Sequence, residues 1–135
     1  MELLTPALAA ALRANAKSFD RETGDPIPLV KLFNPVGTAT WLATEMDADE
    51  DTLFGLADLG FGCPELGRFS LAELRSVRLP FGLGIERDLT FDTDQPLSVW
   101  AQAARLTGSI QSAQTFLART RRASSELPPP ANDGG

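Results

Sequence analysis

The chain has 135 residues, 43% of them hydrophobic, with 18 acids against 12 bases and no histidine. That length suits one compact domain burying about two thirds of its unfolded surface without disulfides or metal. The missing imidazole excludes His-assisted nucleophile triads, His-ligated zinc and imidazole acid–base chemistry.

The charge is uneven. Residues 1–94 hold 8 bases and 16 acids, 8 − 16 = −8, whereas residues 95–135 hold 4 bases and 2 acids, giving +2. An acidic body repels a phosphate backbone, so direct nucleic-acid binding by the main domain is disfavoured. No apolar run approaches the ~20 residues of a membrane span. Met1-Glu-Leu-Leu lacks the basic start of a signal peptide, so no membrane association and a cytoplasmic address are expected.

Thr5-Pro6 opens a helix, with Thr5 as cap and Pro6 at the first helical position, and Leu8, Ala11, Leu12 and Ala16 share one face to about Lys17. Residues 20–28, broken by proline and glycine, read as a solvated loop. Residues 29–33 read as a strand ending at Asn34-Pro35, and Val36-Gly37 turns the chain into a second. In residues 38–44 the alternation sets Thr38, Thr40, Leu42 and Thr44 against Ala39, Trp41 and Ala43, predicting a half-buried strand with Trp41 facing in. An acidic hairpin tip, residues 45–51, leads to a third strand over residues 52–59.

Gly60, Gly62, Pro64 and Gly67 break the following segment, with Phe61 expected beneath a loop or short strand and residues 66–69 pairing at the sheet edge. Ser70-Leu-Ala-Glu73 fits a capping box for a short helix to about Val77. After a turn over residues 79–84, residues 85–91 read as a last strand, which leaves Arg87 on the apolar side with Ile85, Leu89 and Phe91. Asp94 or Gln95 before Pro96 starts a helix with Leu97, Trp100, Ala101, Ala104 and Leu106 as its stripe, and Gly108 stops it. Residues 109–122 form another, with Ile110, Ala113, Phe116, Leu117 and Thr120 on one face. The division expected is a compact domain over 1–97, a helical extension over 98–122 and a disordered tail over 123–135.

Chemistry-bearing motifs are few. Cys63, in Gly-Cys-Pro with no adjacent cation, reads as a plain buried or loop thiol. Asp47, Asp49 and Asp51 begin like a calcium loop, with Asp58 at the twelfth position, but Thr52 replaces the turn glycine and strands replace the flanking helices. These acids read as a solvated hairpin tip, and no metal or cofactor is assigned. Glu86 and Asp88 flank Arg87 as a structural salt-bridge cluster, and Glu65 with Glu73 is a further carboxylate pair that no spacing singles out. The glycines form no phosphate loop. Arg119, Arg121 and Arg122 read as cations gathered at a helix C-terminus.

The ordered motifs Lys31-Leu-Phe-Asn-Pro, Thr40-Trp-Leu-Ala-Thr-Glu, Leu53-Phe-Gly-Leu-Ala-Asp, Glu65-Leu-Gly-Arg-Phe-Ser-Leu-Ala-Glu-Leu and Ile85-Glu-Arg-Asp resemble a bacterial family known as domain of unknown function 2958. The resemblance covers residues 2–97. It implies a small cytoplasmic protein carried by plasmids and integrative elements, beside genes for conjugation, DNA modification and replication; it implies no activity or catalytic residues.

The expected fold is α+β: an antiparallel meander of four or five strands with helices on one face and a helical C-terminal extension. The expected function is a non-catalytic, acidic interaction module of a mobile element, engaging a host defence or DNA-processing complex with a basic nucleic-acid channel. Its contact residues are Glu45, Asp47, Asp49, Glu50, Asp51, Glu86, Arg87 and Asp88. One alternative is a small enzyme or ligand-binding domain using carboxylates with Arg68, Arg75, Arg78 or Arg87. Another is a structural or regulatory subunit self-associating through Phe116 and Leu117 of the C-terminal helices.

Overall fold

The computed structural model describes residues 2–19 and 23–126. Its first helix, α1 (Pro6–Ser18), starts as the sequence requires: the Thr5 hydroxyl accepts from the Leu8 amide at 3.1 Å and Pro6 occupies the first turn. Five strands follow, β1 (Val30–Phe33), β2 (Thr40–Met46), β3 (Thr52–Asp58), β4 (Glu65–Ser70) and β5 (Glu86–Arg87). They form one antiparallel sheet in the order β4-β3-β2-β1-β5. Helices α2 (Leu71–Ser76), α3 (Leu97–Thr107) and α4 (Ile110–Glu126) complete the α+β fold.

Two cores form, one on each face of the sheet. Leu12 of α1 and Leu71 and Leu74 of α2 pack with Val30, Leu32, Trp41, Ala43, Met46 and Leu53. On the opposite face Leu42 and Leu56 meet Leu97, Trp100, Ala104, Ile110 and Ala113 of α3 and α4. Each large aliphatic residue fully buried here contributes about 1.5–3 kcal/mol. Strand β2 is therefore not half-buried as its alternation suggested: Thr40 and Thr44, on the side expected to face water, are fully buried. Helices drawn from residues far along the chain cover that side, and local alternation does not register them.

A bulge adjusts β2. Its register with β3 shifts between Ala43 and Glu45, so Glu45 opposes Phe54 and Met46 opposes Leu53 in the first core. Gly55 makes this possible, because a Cβ there would lie 1.7 Å from the Leu42 carbonyl oxygen. The Asn15 side-chain amide of α1 donates to the Thr44 carbonyl at 3.0 Å, occupying an acceptor in the shifted segment.

Several local expectations are corrected. The last strand is only Glu86–Arg87, because the Asp88 carboxylate accepts from the amide and hydroxyl of Thr90 and curls the chain into an Asx turn. Leu89 is consequently exposed, as is Phe61, held out on a loop whose Gly60 and Gly62 have positive φ. Leu106 is exposed because it lies about 200° around the helix from Ala104. Phe116 is half-exposed and Thr120 exposed, while Ile110, Ala113 and Leu117 face the core.

The loop before β1 also does more than meet solvent: Pro26 and Pro28 are buried, the Pro26 carbonyl accepts from the Leu97 amide, and Asp25 accepts from the amide and hydroxyl of Ser98. Asp25 thus caps α3, where Asp94 or Gln95 was expected. Residues 20–22 of that loop lie outside the described residues. Helix α4 continues through Ala123 to Glu126, past the expected end at 122; the remainder of the expected tail, 127–135, also lies outside them.

Candidate functional site

The β2–β3 hairpin carries the acidic tip. The Asp47 amide donates to the Thr52 carbonyl at 2.9 Å, the Glu50 amide donates to the Asp47 carbonyl at 3.0 Å, and Glu50 takes a left-handed φ of 60°. Asp49 turns inward. Its carboxylate accepts from the Thr52 hydroxyl at 2.6 Å and from the amides of Asp51 and Thr52 at 2.9 Å. These bonds, the Thr52 hydroxyl first, hold its pKa below the usual carboxylate range.

Asp51 also has a structural partner set. It accepts from the Ser70 hydroxyl at 2.8 Å and the Ala72 amide at 2.7 Å, while the Ser70 oxygen accepts from the Glu73 amide at 3.1 Å. The start of α2 is thus capped by Ser70 as expected and also by an aspartate 21 residues upstream of Ala72. Asp47, partly exposed, and Glu50, exposed, pair with Arg68 at 3.8 Å and Arg13 at 2.8 Å respectively.

Glu45, expected at the tip, is not on it: it lies in β2 at 3% exposure. Glu86, Arg87 and Asp88 are also apart from the tip, on and beside the opposite edge strand β5, which pairs with the end of β1 distant from the hairpin. Arg87 donates to the carbonyls of Glu2 and Leu3 at 2.8 and 3.0 Å, which explains a cation on the apolar side: it fastens the N-terminal segment over the sheet. Asp88 instead meets Lys31 at 3.4 Å, and Lys31 donates to Gln114 of α4 at 2.7 Å. Burial acts to raise the Asp88 pKa, but the Thr90 bonds and the Lys31 charge outweigh it and bring it below the ordinary value.

The calcium-loop pattern dissolves in the same geometry. Asp58 stands at the far end of β3, roughly 20 Å along the strand from the tip. There it is 1% exposed and accepts from the amides of Gly60 and Ile110, both at 2.9 Å. Cys63 is exposed in the loop before β4.

Of the four arginines weighed for chemistry, Arg75 and Arg78 share an open groove of about 560 Å³ with Glu2 and Glu86. Arg78 also donates to the Arg75 and Val77 carbonyls at the end of α2, while Arg68 stands beside Asp47 at the tip. Arg121 and Arg122 line a hollow of about 370 Å³ with Asp92, Asp94 and Trp100, and Arg121 approaches Asp94 at 4.0 Å. Because α4 runs on to Glu126, its last turn carries no cation, so these arginines do not offset the helix end as expected.

Sequence reasoning missed Asp25, Asn15 and Phe81. Only Phe81 left a signal, since Pro-Phe-Gly marks a tight turn. Among the described residues, no helix is long and apolar enough to cross a membrane.

The sequence profile of the family described as "Protein of unknown function (DUF2958)" matches residues 3–111 and so takes in α3, which the resemblance had left outside. No curated protein and no solved structure matches the chain. The chain belongs to the DUF2958 family.

Proposed function

We propose that this member of the DUF2958 family is a non-catalytic interaction module whose acidic hairpin tip docks on a basic surface of a partner protein. The observation that carries it is the construction of the tip. Asp49 and Asp51 spend their oxygens on main-chain and hydroxyl donors, which fixes the turn, while Asp47 and Glu50 pair at its surface with the mobile side chains of Arg68 and Arg13, which a basic partner would replace. A braced anionic projection loses little side-chain and loop entropy on docking, and its field speeds encounter with a cationic partner. The depressed pKa values of Asp49 and Asp88 favour permanent anions, the opposite of what a proton-transferring carboxyl needs at neutral pH. The mobile-element setting implied by the resemblance supplies partners of this chemistry: host defence or DNA-processing complexes with basic nucleic-acid channels.

The test is affinity capture from bacterial lysate with the wild type and with Asp47→Lys/Glu50→Lys. The wild type is expected to retain a basic nucleic-acid-binding protein that duplex DNA and added salt displace, and the double variant to lose it. Capture of no such protein, or equal capture by the variant, refutes the proposal.

A further inference from the structure

The turn between α2 and β5 holds Phe81 at φ 65° and ψ 22°, followed by Gly82 at φ 73°. A phenylalanine in the left-handed region is strained, and this one is also 93% exposed. Beside it lies the groove of about 560 Å³ between the N-terminal segment, the end of α2 and residues 82–86. Its floor is apolar, made by Leu3, Leu74 and Ile85, each at most 7% exposed. Arg75 and Arg78 border it from α2, and Glu2 and Glu86 from the other elements. The ring next to this groove does not enter it.

We propose that this face is a two-fold interface between copies of the chain, the Phe81 ring of each copy filling the groove of the other. A knob that borders its own hole is self-complementary: the rotation that seats one ring seats the other, and the contact closes at two subunits. The charges suit the same operation, since a face bearing both arginines and glutamates can set its cations against the anions of an identical face. A strained residue whose ring finds no cover in the monomer gains its burial on pairing, and aromatic residues are enriched in the cores of such contacts. This interface does not depend on the acidic tip or its partner.

Sedimentation equilibrium of the full chain from about 1 to 200 μM tests it, a range that reports micromolar dissociation constants. The wild-type mass is expected to rise from 14.5 kDa toward twice that value. Phe81→Gly and Phe81→Asn, which suit a left-handed backbone and remove no monomer packing, are expected to weaken association at least about tenfold while melting no lower than the wild type at a concentration where both are monomeric. Phe116→Asp, at a half-exposed position on α4, is expected to associate normally. A constant wild-type mass, wild-type association by both Phe81 variants, or association abolished by Phe116→Asp overturns the proposal.

Discussion

Replacing Asp58 with alanine tests whether one carboxylate ties the sheet to the C-terminal helices. Its two oxygens accept from Gly60 and Ile110, 52 residues on, at 2.9 Å each, and Ile110 is fully buried. A hydrogen bond to a charged group contributes about 1.5–3 kcal/mol, and an amide left unpaired in the interior costs about 1–3 kcal/mol. The exposed Gly60 amide regains water, so the loss concentrates at Ile110 and totals about 3–5 kcal/mol. With an unfolding entropy of about 2.1 cal/mol/K per residue over the 18 + 104 = 122 described residues, that loss lowers the melting midpoint by roughly 12–20 °C. Asp58→Asn keeps one acceptor and is expected to lose about half as much. Circular dichroism melts at neutral pH, with Glu65→Ala as an exposed control, decide it. A midpoint for Asp58→Ala within about 2 °C of the wild type refutes the tie.

Gly55→Ala forces a Cβ to 1.7 Å from the Leu42 carbonyl oxygen, which backbone cannot yield without opening the bulge, so it is expected to cost about 3 kcal/mol or more in urea unfolding. Gly67→Ala, whose Cβ would meet nothing within 4 Å, is expected to change the midpoint little. The lowered pKa values of Asp49 and Asp88 predict a pH effect of definite sign: on acidification the unfolded carboxylates take up protons first. Their stabilisation is therefore complete above about pH 4 and lost as pH falls through the lower native values. Asp49→Asn/Asp88→Asn should flatten the stability profile below about pH 4, and a profile parallel to the wild type there contradicts the assignment.

What could be read from the sequence were features whose causes are local. Thr5-Pro6 and Ser70 mark helix starts because the capping oxygen and its amide lie within three residues, and both bonds form. The strands and the antiparallel order of β1 to β4 follow from short turns between apolar runs. What stayed hidden depends on partners far along the chain. Asp25 caps a helix 73 residues away, Asn15 reaches a carbonyl 29 residues away, and Leu42, between the buried Thr40 and Thr44, packs with α3 and α4. Calcium-like spacing does not translate into proximity for the same reason: Asp58 is twelfth in order from Asp47 but a strand's length distant in space.

That distance between order and space also changes what the acidic composition means. Asp25, Asp49, Asp51, Asp58 and Asp88 each accept main-chain amides, so their lone pairs are committed within the fold while their charge remains. A cationic partner feels all of these charges at long range, attenuated over about 8 Å at physiological ionic strength. It can form direct hydrogen bonds only with carboxylates whose oxygens turn outward. On the proposed docking, reversing the charge of Asp47 or Glu50 should speed dissociation as well as slow encounter, because each is a tip charge that a cationic partner would take over from Arg68 or Arg13. Removing Asp51 would slow encounter and also loosen the start of α2, so its effect on binding is separable from its effect on stability only when both are measured. The −8 count is thus a measure of the field around the body and not of the number of carboxylates open to direct contact.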